Sequence, residues 1–240
     1  MTALTETRPP EAQRPVALVT GASGGMGSEI VRALSSTHTV IAVGRDGQAL
    51  ASLNAETGCT TAPVDLADPS AIAGLAAGLT RLDVLVHAAA IARPLSVENA
   101  TVADWRAHFD VDVVAPAELT RLTLPLLRTA QGTVVFVGSG ASTRPVAGSA
   151  VYTAAKHALR GLADVLRIDE EPYRIRVVTI APGQTDTRML RAMLPADAYD
   201  SERYIRPQSI AEVVRFVVDA PADVHLTDIA VRPRQEIARL

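Results

Sequence analysis

The sequence predicts an α/β protein, a doubly wound parallel seven-stranded sheet flanked by helices. Three observations carry that prediction. Seven short apolar or β-rich runs alternate with helical stretches along the 240 residues, the pattern of a parallel sheet whose crossovers are helices. The first run is closed by GASGGMG, residues 21–27, and followed by an amphipathic stretch, so strand, glycine turn and helix come in succession. No internal repeat, low-complexity tract or long linker divides the chain, and a chain of this length buries a sizeable core without staples.

In chain order, residues 1–14 are polar, with Pro9 and Pro10, and are expected to form a disordered leader ahead of a single domain over 15–240. Strands are expected at Val16–Thr20, Thr39–Val43, Thr60–Val64, Val84–His87, Thr133–Val137, Val177–Ile180 and Ile229–Val231. Ser28–Leu34 reads as the first helix. Asp68 followed by Pro69 marks an N-cap and first turn, and Thr101 with Asp104 resembles a capping box opening a long helix through Arg128. Pro116 and Pro125 are expected to kink that helix, because proline brings no N–H to the ladder. A further helix runs from about Ser149 to Glu170.

Composition removes several classes of function. The net charge is −3, and without a basic block nothing provides a footprint for nucleic acid. No apolar run approaches the roughly 20 residues of a membrane span. Cys59 is the single cysteine, which excludes an intrachain disulfide and suits a reducing cytoplasm. His38, His87, His108, His157 and His225 show no metal-binding spacing.

Chemistry enters with Tyr152 and Lys156 in YTAAK. Four residues apart on a helix, they share a face about one turn from each other. An ordinary tyrosine has a pKa of roughly 10, and a neighbouring ammonium favours the phenolate, which brings a phenol towards use as a general acid/base near neutral pH. Ser139, thirteen residues upstream at the end of an apolar β-type run, offers a hydroxyl for the same substrate oxygen. At the other end, TGASGGMG (residues 20–27) follows the first strand and opens a helix. Its glycines permit close backbone approach, and the helix N-terminus offers free N–H groups to a pyrophosphate.

These residues resemble the short-chain dehydrogenases/reductases in their single-domain form. Gly21, Gly25 and Gly27 match the family's TGxxxGxG pattern, and Ser139, Tyr152 and Lys156 fall at its catalytic spacing. Gly21, Gly24 and Gly27 also fit the TGxxGxxG of the longer sugar-nucleotide epimerase branch; the lack of room for a C-terminal substrate domain and the prompt PG after the tyrosine helix favour the shorter branch. The resemblance implies a Rossmann-like NADP-binding catalytic domain with a substrate lid at about 188–206, and a homodimer or homotetramer pairing through the two long helices. It implies cofactor contacts from the glycine turn, with Ser23 and Met26 inside it, from Asp65 and Leu66 after the third strand, and from Ala88 and Ala89 after the fourth. In APGQTDT it implies that Pro182, Gly183 and Thr185 support the nicotinamide and Thr187 bonds its carboxamide. Lys156 would bind the ribose. Gly44 stands where NAD-preferring relatives usually carry an acidic residue, and Arg45 next to it can pair with a 2′-phosphate, so NADP(H) is favoured over NAD(H). Arg93 and Arg144 lie in loops expected near the pocket mouth, where the default reading is surface charge and the alternative is a contact with an acidic substrate. Met189, Leu190, Met193 and Leu194 could line an apolar pocket, though an ordinary amphipathic helix would need the same residues.

The chain departs from the family in three places. His87, Ala88, Ala89 and Ala90 replace the usual NNAG, Asp112 replaces the asparagine that helps hold a water beside the lysine, and DIAVRPRQEIARL lacks the glycine-rich DGG. Asp112 is expected to pair with Lys156 and to alter the pH dependence rather than abolish activity. The expected function is an NADP(H)-dependent oxidoreductase, a carbonyl reductase or alcohol dehydrogenase, acting on a small-molecule carbonyl or secondary alcohol. The alternatives are a non-catalytic NADP(H)-binding redox sensor or partner subunit, and an isomerase or dehydratase on the same scaffold.

Overall fold

The computed structural model describes residues 14–194 and 199–235. The expected leader up to residue 13, residues 195–198 of the expected lid and the last five residues lie outside the described residues.

All seven strands are parallel and stand in the order β3-β2-β1-β4-β5-β6-β7. They are β1 Val16–Thr20, β2 Thr39–Gly44, β3 Thr60–Pro63, β4 Val84–His87, β5 Thr133–Val137, β6 Arg176–Pro182 and β7 Asp228–Val231. The helices are α1 Gly25–Ser35, α2 Gly47–Thr57, α3 Pro69–Ala77, α4 Val102–Phe109, α5 Ala115–Ala130, α6 Ala150–Asp169, α7 Arg188–Arg191 and α8 Pro207–Val218. Strand order reverses between β1 and β4, and in a doubly wound sheet the crevice at that reversal, beyond the carboxyl ends of the strands, is where ligands bind.

Period-two alternation splits the apolar residues of each central strand between two cores. Ala17, Val19, Val135 and Val137 face one layer with Ile30, Val31 and Leu34 of α1 and Val214 and Val217 of α8. Leu18, Val134 and Phe136 face the other, against Leu119 and Leu127 of α5 and Leu159 and Ala163 of α6. Burial on both faces is why these strands read as unbroken apolar runs rather than alternating ones.

Helix ends follow local chemistry. Asp46 caps α2 by accepting from the N–H groups of Gln48 and Ala49, and α2 stops at Gly58 with φ 71°. Asp68 caps α3 with Pro69 behind it, and the Thr101–Asp104 capping box opens α4. The expected single long helix is instead two, joined by a wide π turn over Asp110–Val114 in which the Ala115 N–H reaches the Asp110 carbonyl five residues back. Pro116 follows at once and has no N–H for the Asp112 carbonyl, so the ladder changes step there. Pro125 does not interrupt α5. Arg121, whose carbonyl it leaves without a helical donor, is exposed, and water can serve that carbonyl.

Candidate active site

The glycine turn is built by close approaches that only hydrogen permits. Gly21 has φ 70°, and a Cβ there would stand 2.7 Å from the Ala89 nitrogen and 2.8 Å from the Ala88 carbonyl. A Cβ on Gly27 would stand 2.2 Å from the Gly21 oxygen, whereas one on Gly24 would meet nothing within 4 Å. Gly21→Ala and Gly27→Ala are therefore expected to destabilise the fold by about 2 kcal/mol or more, with Gly24→Ala within about 0.5 kcal/mol of the parent; urea denaturation midpoints check both. The N-terminus of α1 has neither a side-chain cap nor an acidic residue in its first turn. Its N–H groups and the helix dipole are thus available to an anion, and the open side of Gly24 leaves room for one. A pyrophosphate fits this cradle.

Thr20, the last residue of β1, ties the cradle to β4. Its hydroxyl accepts from the Ala88 and Ala89 N–H groups at 3.1 and 3.2 Å, so the HAAA run is held by its backbone without the asparagine side chains. His87 belongs to the interior instead. Its ring stacks on Phe136 at 4.9 Å, Nε2 is 2.9 Å from the Thr120 hydroxyl, and burial lowers its pKa to about 3, which keeps it neutral.

The end of β2 lies alongside the turn, with the Ala22 N–H on the Val43 carbonyl at 2.9 Å. A Cβ on Gly44 would stand 2.9 Å from Ser23 Oγ, so glycine is what lets Ser23 approach. Arg45 emerges exposed beside it and makes no ion pair or side-chain hydrogen bond among the described residues. Met26 packs half-buried on the α1 core. Asp65 is exposed and accepts from the Ala67 N–H at 3.0 Å, while Leu66 is buried with the α5 core.

Across the sheet reversal, Ser139 follows β5 and opens a short 3₁₀ turn, Gly140–Ser142. Its Oγ accepts from the Ala141 N–H, and Ser142 Oγ accepts from the Ser139 N–H, each at 3.1 Å. Helix α6 packs on that turn and carries Tyr152, half-buried in its first turn. One turn later Lys156 is only 1 % exposed, with Nζ 5.6 Å from the Tyr152 ring centroid. Lys156 Nζ also stands 4.0 Å from Asp112 Oδ2. Asp112 is wholly buried in the π turn, and its Oδ1 accepts from the Ile91 N–H at 2.7 Å, which pins the loop after HAAA. Burial pushes the Asp112 carboxyl up; the charge of Lys156, the Ile91 bond and the charge of His108 pull against it.

The segment after β6 closes on the glycine turn. Pro182 ends the strand, and the Gly183 N–H bonds the Val231 carbonyl at 2.7 Å. Thr185 is buried and donates to the Gly183 carbonyl at 3.1 Å. Thr187 caps α7, and its methyl stands 3.4 Å from where a Gly25 Cβ would be. Sequence reasoning missed Asp186, which holds Arg191 through two bonds of 2.8 Å and accepts from the Tyr199 hydroxyl. The Arg191 guanidinium keeps the Asp186 carboxyl below the usual range, and Asp186 pushes the Tyr199 phenol up. The anchor spans the two sides of residues 195–198. Its only sequence signal was an aspartate inside the PGxxxT motif with an arginine five residues on. Of the arginines expected at the pocket mouth, Arg93 lies 3.7 Å from Asp104, whereas Arg144 is exposed and unpaired among the described residues. Met189 and Met193 are exposed, and Leu190 and Leu194 are half-buried.

Among the described residues no cluster of three or more His, Cys, Asp or Glu side chains could hold a metal ion, and no helix is long and apolar enough to cross a membrane.

Comparison with known proteins agrees with the fold and gives the family. The family model for short chain dehydrogenases matches residues 15–198. The chain is 33 % identical over 230 residues to a short-chain type dehydrogenase/reductase of Sinorhizobium fredii, covering 92 % of each. It is 32 % identical over 234 residues to an NADP-dependent 3-hydroxy acid dehydrogenase of Salmonella typhi, covering 91 % of this chain and 94 % of the relative. Among solved structures it is similar to the closed form of a serine dehydrogenase complexed with NADP+, with a TM-score of 0.85, 30 % identity, and coverage of 94 % of this chain and 98 % of the other.

Proposed function

The chain belongs to the short-chain dehydrogenase family of oxidoreductases, and from that premise we propose that it is NADP(H)-dependent and interconverts a carbonyl compound and a secondary alcohol. The observation that carries this reading is a pyrophosphate cradle flanked by the unpaired Arg45, within the same crevice architecture as Tyr152 beside the buried Lys156. When bound, the nicotinamide gives or takes the hydride. Tyr152 exchanges a proton with the substrate oxygen, Ser139 orients that oxygen, and Lys156, with Nζ 5.6 Å from the tyrosine ring, holds the ribose. Ser139 Oγ accepts from the Ala141 N–H, which leaves its own O–H to donate to substrate. Asp112 holds the loop after β4 through Ile91 and balances the charge of Lys156.

A guanidinium with no competing carboxylate discriminates for a 2′-phosphate, and the named use of NADP by a 3-hydroxy acid dehydrogenase and a serine dehydrogenase supports the same preference. Those relatives, together with the unpaired Arg144 in the loop after Ser142, favour a hydroxy or keto acid as the first substrates to screen. A cytoplasmic homodimer or homotetramer pairing through α5 and α6 belongs to the same reading, and Val165 and Ile168 on α6 are exposed apolar residues suited to that contact.

Fluorescence titration with NADPH and NADH tests the proposal. NADPH is expected to bind more tightly, and Arg45→Ala to lose about tenfold to a hundredfold in NADPH affinity, the worth of a hydrogen bond to a charged group at roughly 1.5–3 kcal/mol, with NADH unchanged. Equal affinities in the parent chain would overturn the preference. Binding of neither nucleotide would overturn the whole reading.

A further inference from the structure

Where the family carries DGG after the last strand this chain has Arg232, Pro233 and Arg234. Arg232 is exposed, makes no ion pair among the described residues, and has one long bond, 3.5 Å from Nη1 to the Ala181 carbonyl. Its guanidinium lies against the Ser139 turn, where a Cβ on Gly140 would stand 3.0 Å from Nη1. Between that turn, α6 and the ends of β6 and β7 is a cavity of about 90 Å³, whose polar lining is Ser142, Thr143, Thr179, Arg160, Arg232 and Asp228. Strand alternation turns Thr179 to this side, because Val177, two residues back, packs in the α6 core.

The lining is rich in donors that have nothing to bond. Thr179 is 4 % exposed, and its Oγ1 has no hydrogen-bond partner among the described residues. Ser142 is as deeply buried; its Oγ accepts from the Ser139 N–H, and its own O–H donates to no described residue. Arg160 stands 3.6 Å from both Asp164 and Asp228, beyond ordinary hydrogen-bond length, and Arg167 shares the same two carboxylates. Asp228, the one carboxylate in the lining, is thus already committed. Three guanidiniums against two carboxylates leave one positive charge over within the group. Water would satisfy the hydroxyls and leave that charge, whereas an oxyanion meets both through charge-assisted bonds. We propose that this cavity binds one small oxyanion of the phosphate class, held between Arg232 and Arg160 with the Ser142 and Thr179 hydroxyls donating to it, and that its occupancy steadies the Ser139 turn. The volume is far below the roughly 300–1,000 Å³ of pockets for larger ligands, which excludes a nucleotide and separates this site from the glycine cradle. The coupling runs through the Ser139 N–H, which rests on Ser142 Oγ at 3.1 Å. Neither nucleotide binding nor turnover is needed for it, so it stands or falls apart from the oxidoreductase proposal.

Inorganic phosphate is the probe, titrated into the full-length chain at constant ionic strength against chloride and followed by amide NMR. Saturable shifts are expected at residues 139–143, Thr179 and Arg232. Phosphate also suits the N-terminus of α1, and shifts confined to residues 21–27 would overturn the inference. Failure to saturate would do the same and would leave water as the partner of Thr179. Arg232→Gln alters an exposed side chain with one long bond, and Thr179→Val keeps the shape while removing a hydroxyl that bonds nothing, so both variants are expected to fold. Each is expected to weaken phosphate at this site by about tenfold or more, the worth of a hydrogen bond to a charged group, with any shifts at residues 21–27 unchanged. Parental affinity in either variant would refute the assigned site. With phosphate bound, the Ser139 amide is expected to exchange more slowly with solvent, and Arg232→Gln to remove that protection. Exchange at the same rate with and without phosphate would overturn the coupling to Ser139.

Discussion

Tyr152→Phe is expected to lower kcat by about 10²–10⁴-fold, the worth of a positioned general acid/base, while NADPH affinity stays near that of the parent chain. The substitution removes one oxygen and keeps the ring, whose centroid lies 5.6 Å from Lys156 Nζ. Tyr152 is half-buried in the first turn of α6, and its hydroxyl makes no hydrogen bond to another described residue, so the fold loses no internal bond. Stability within about 0.5 kcal/mol of the parent is the accompanying expectation. The loss therefore falls on the chemical step, and steady-state kinetics beside a nucleotide titration separates it from loss of binding. A variant that turned over at parental rate would remove Tyr152 from the chemistry. The Ser139 turn, packed on α6, would then have no proton donor to work with.

Much of the fold was legible because burial writes itself into strands. VLVH and TVVFV are buried at every position, and such runs admit little besides a central strand between two helical layers. Caps were legible for the same local reason, since Asp68 and Thr101 act within three residues of themselves, although the Asp46 cap of α2 was found only in the structure. The break at Asp110–Val114 was not. Pro116 announced trouble in the helix, but where the ladder absorbs a missing N–H, ahead of the proline as a wide turn or at it as a kink, depends on what packs around the segment. There Asp112 has to reach the Ile91 N–H, twenty-one residues away in sequence.

The site was legible where a backbone does the work and obscure where side chains from distant segments meet. Gly21 and Gly27 were readable as close approaches, although not what they approach. Only the structure sets Gly21 against Ala88 and Ala89, and Gly25 against Thr187. The HAAA run lacks the asparagine side-chain bonds of NNAG, and the sequence did not show that the Thr20 hydroxyl accepts from the Ala88 and Ala89 N–H groups, an anchor available only to a residue on the neighbouring strand. Asp186 and Tyr199 flank residues 195–198, and no periodicity joins positions on two sides of an irregular segment. His108 looked like one of five scattered histidines. That it is wholly buried, four residues from the buried Asp112, shows only in the structure.

The Lys156–Asp112 pair makes the second large prediction, and it concerns stability. Lys156→Met, which keeps an unbranched chain of similar length, is expected to cost about 3–5 kcal/mol at pH 7, because removing one partner of a buried pair leaves the other uncompensated. The remaining carboxyl escapes by taking a proton, and burial already pushes it in that direction. The sign of the pH dependence follows. A carboxyl whose pKa is higher in the folded than in the unfolded state binds more protons when folded, so its contribution falls as pH rises above the unfolded value of roughly 4. The Lys156→Met deficit should therefore be small in mild acid and grow towards neutrality. Asp112→Asn placed on that background keeps an oxygen for the Ile91 N–H and removes the charge, so it should recover most of the loss and flatten the pH dependence. Denaturant midpoints of the parent, the two single variants and the double variant, measured from about pH 4 to 8, give both the coupling and its slope. Additive losses with no pH dependence would mean that the 4.0 Å between Nζ and Oδ2 is already bridged in a way that insulates the two charges. The position of Asp112 would then be explained by its bond to Ile91 alone.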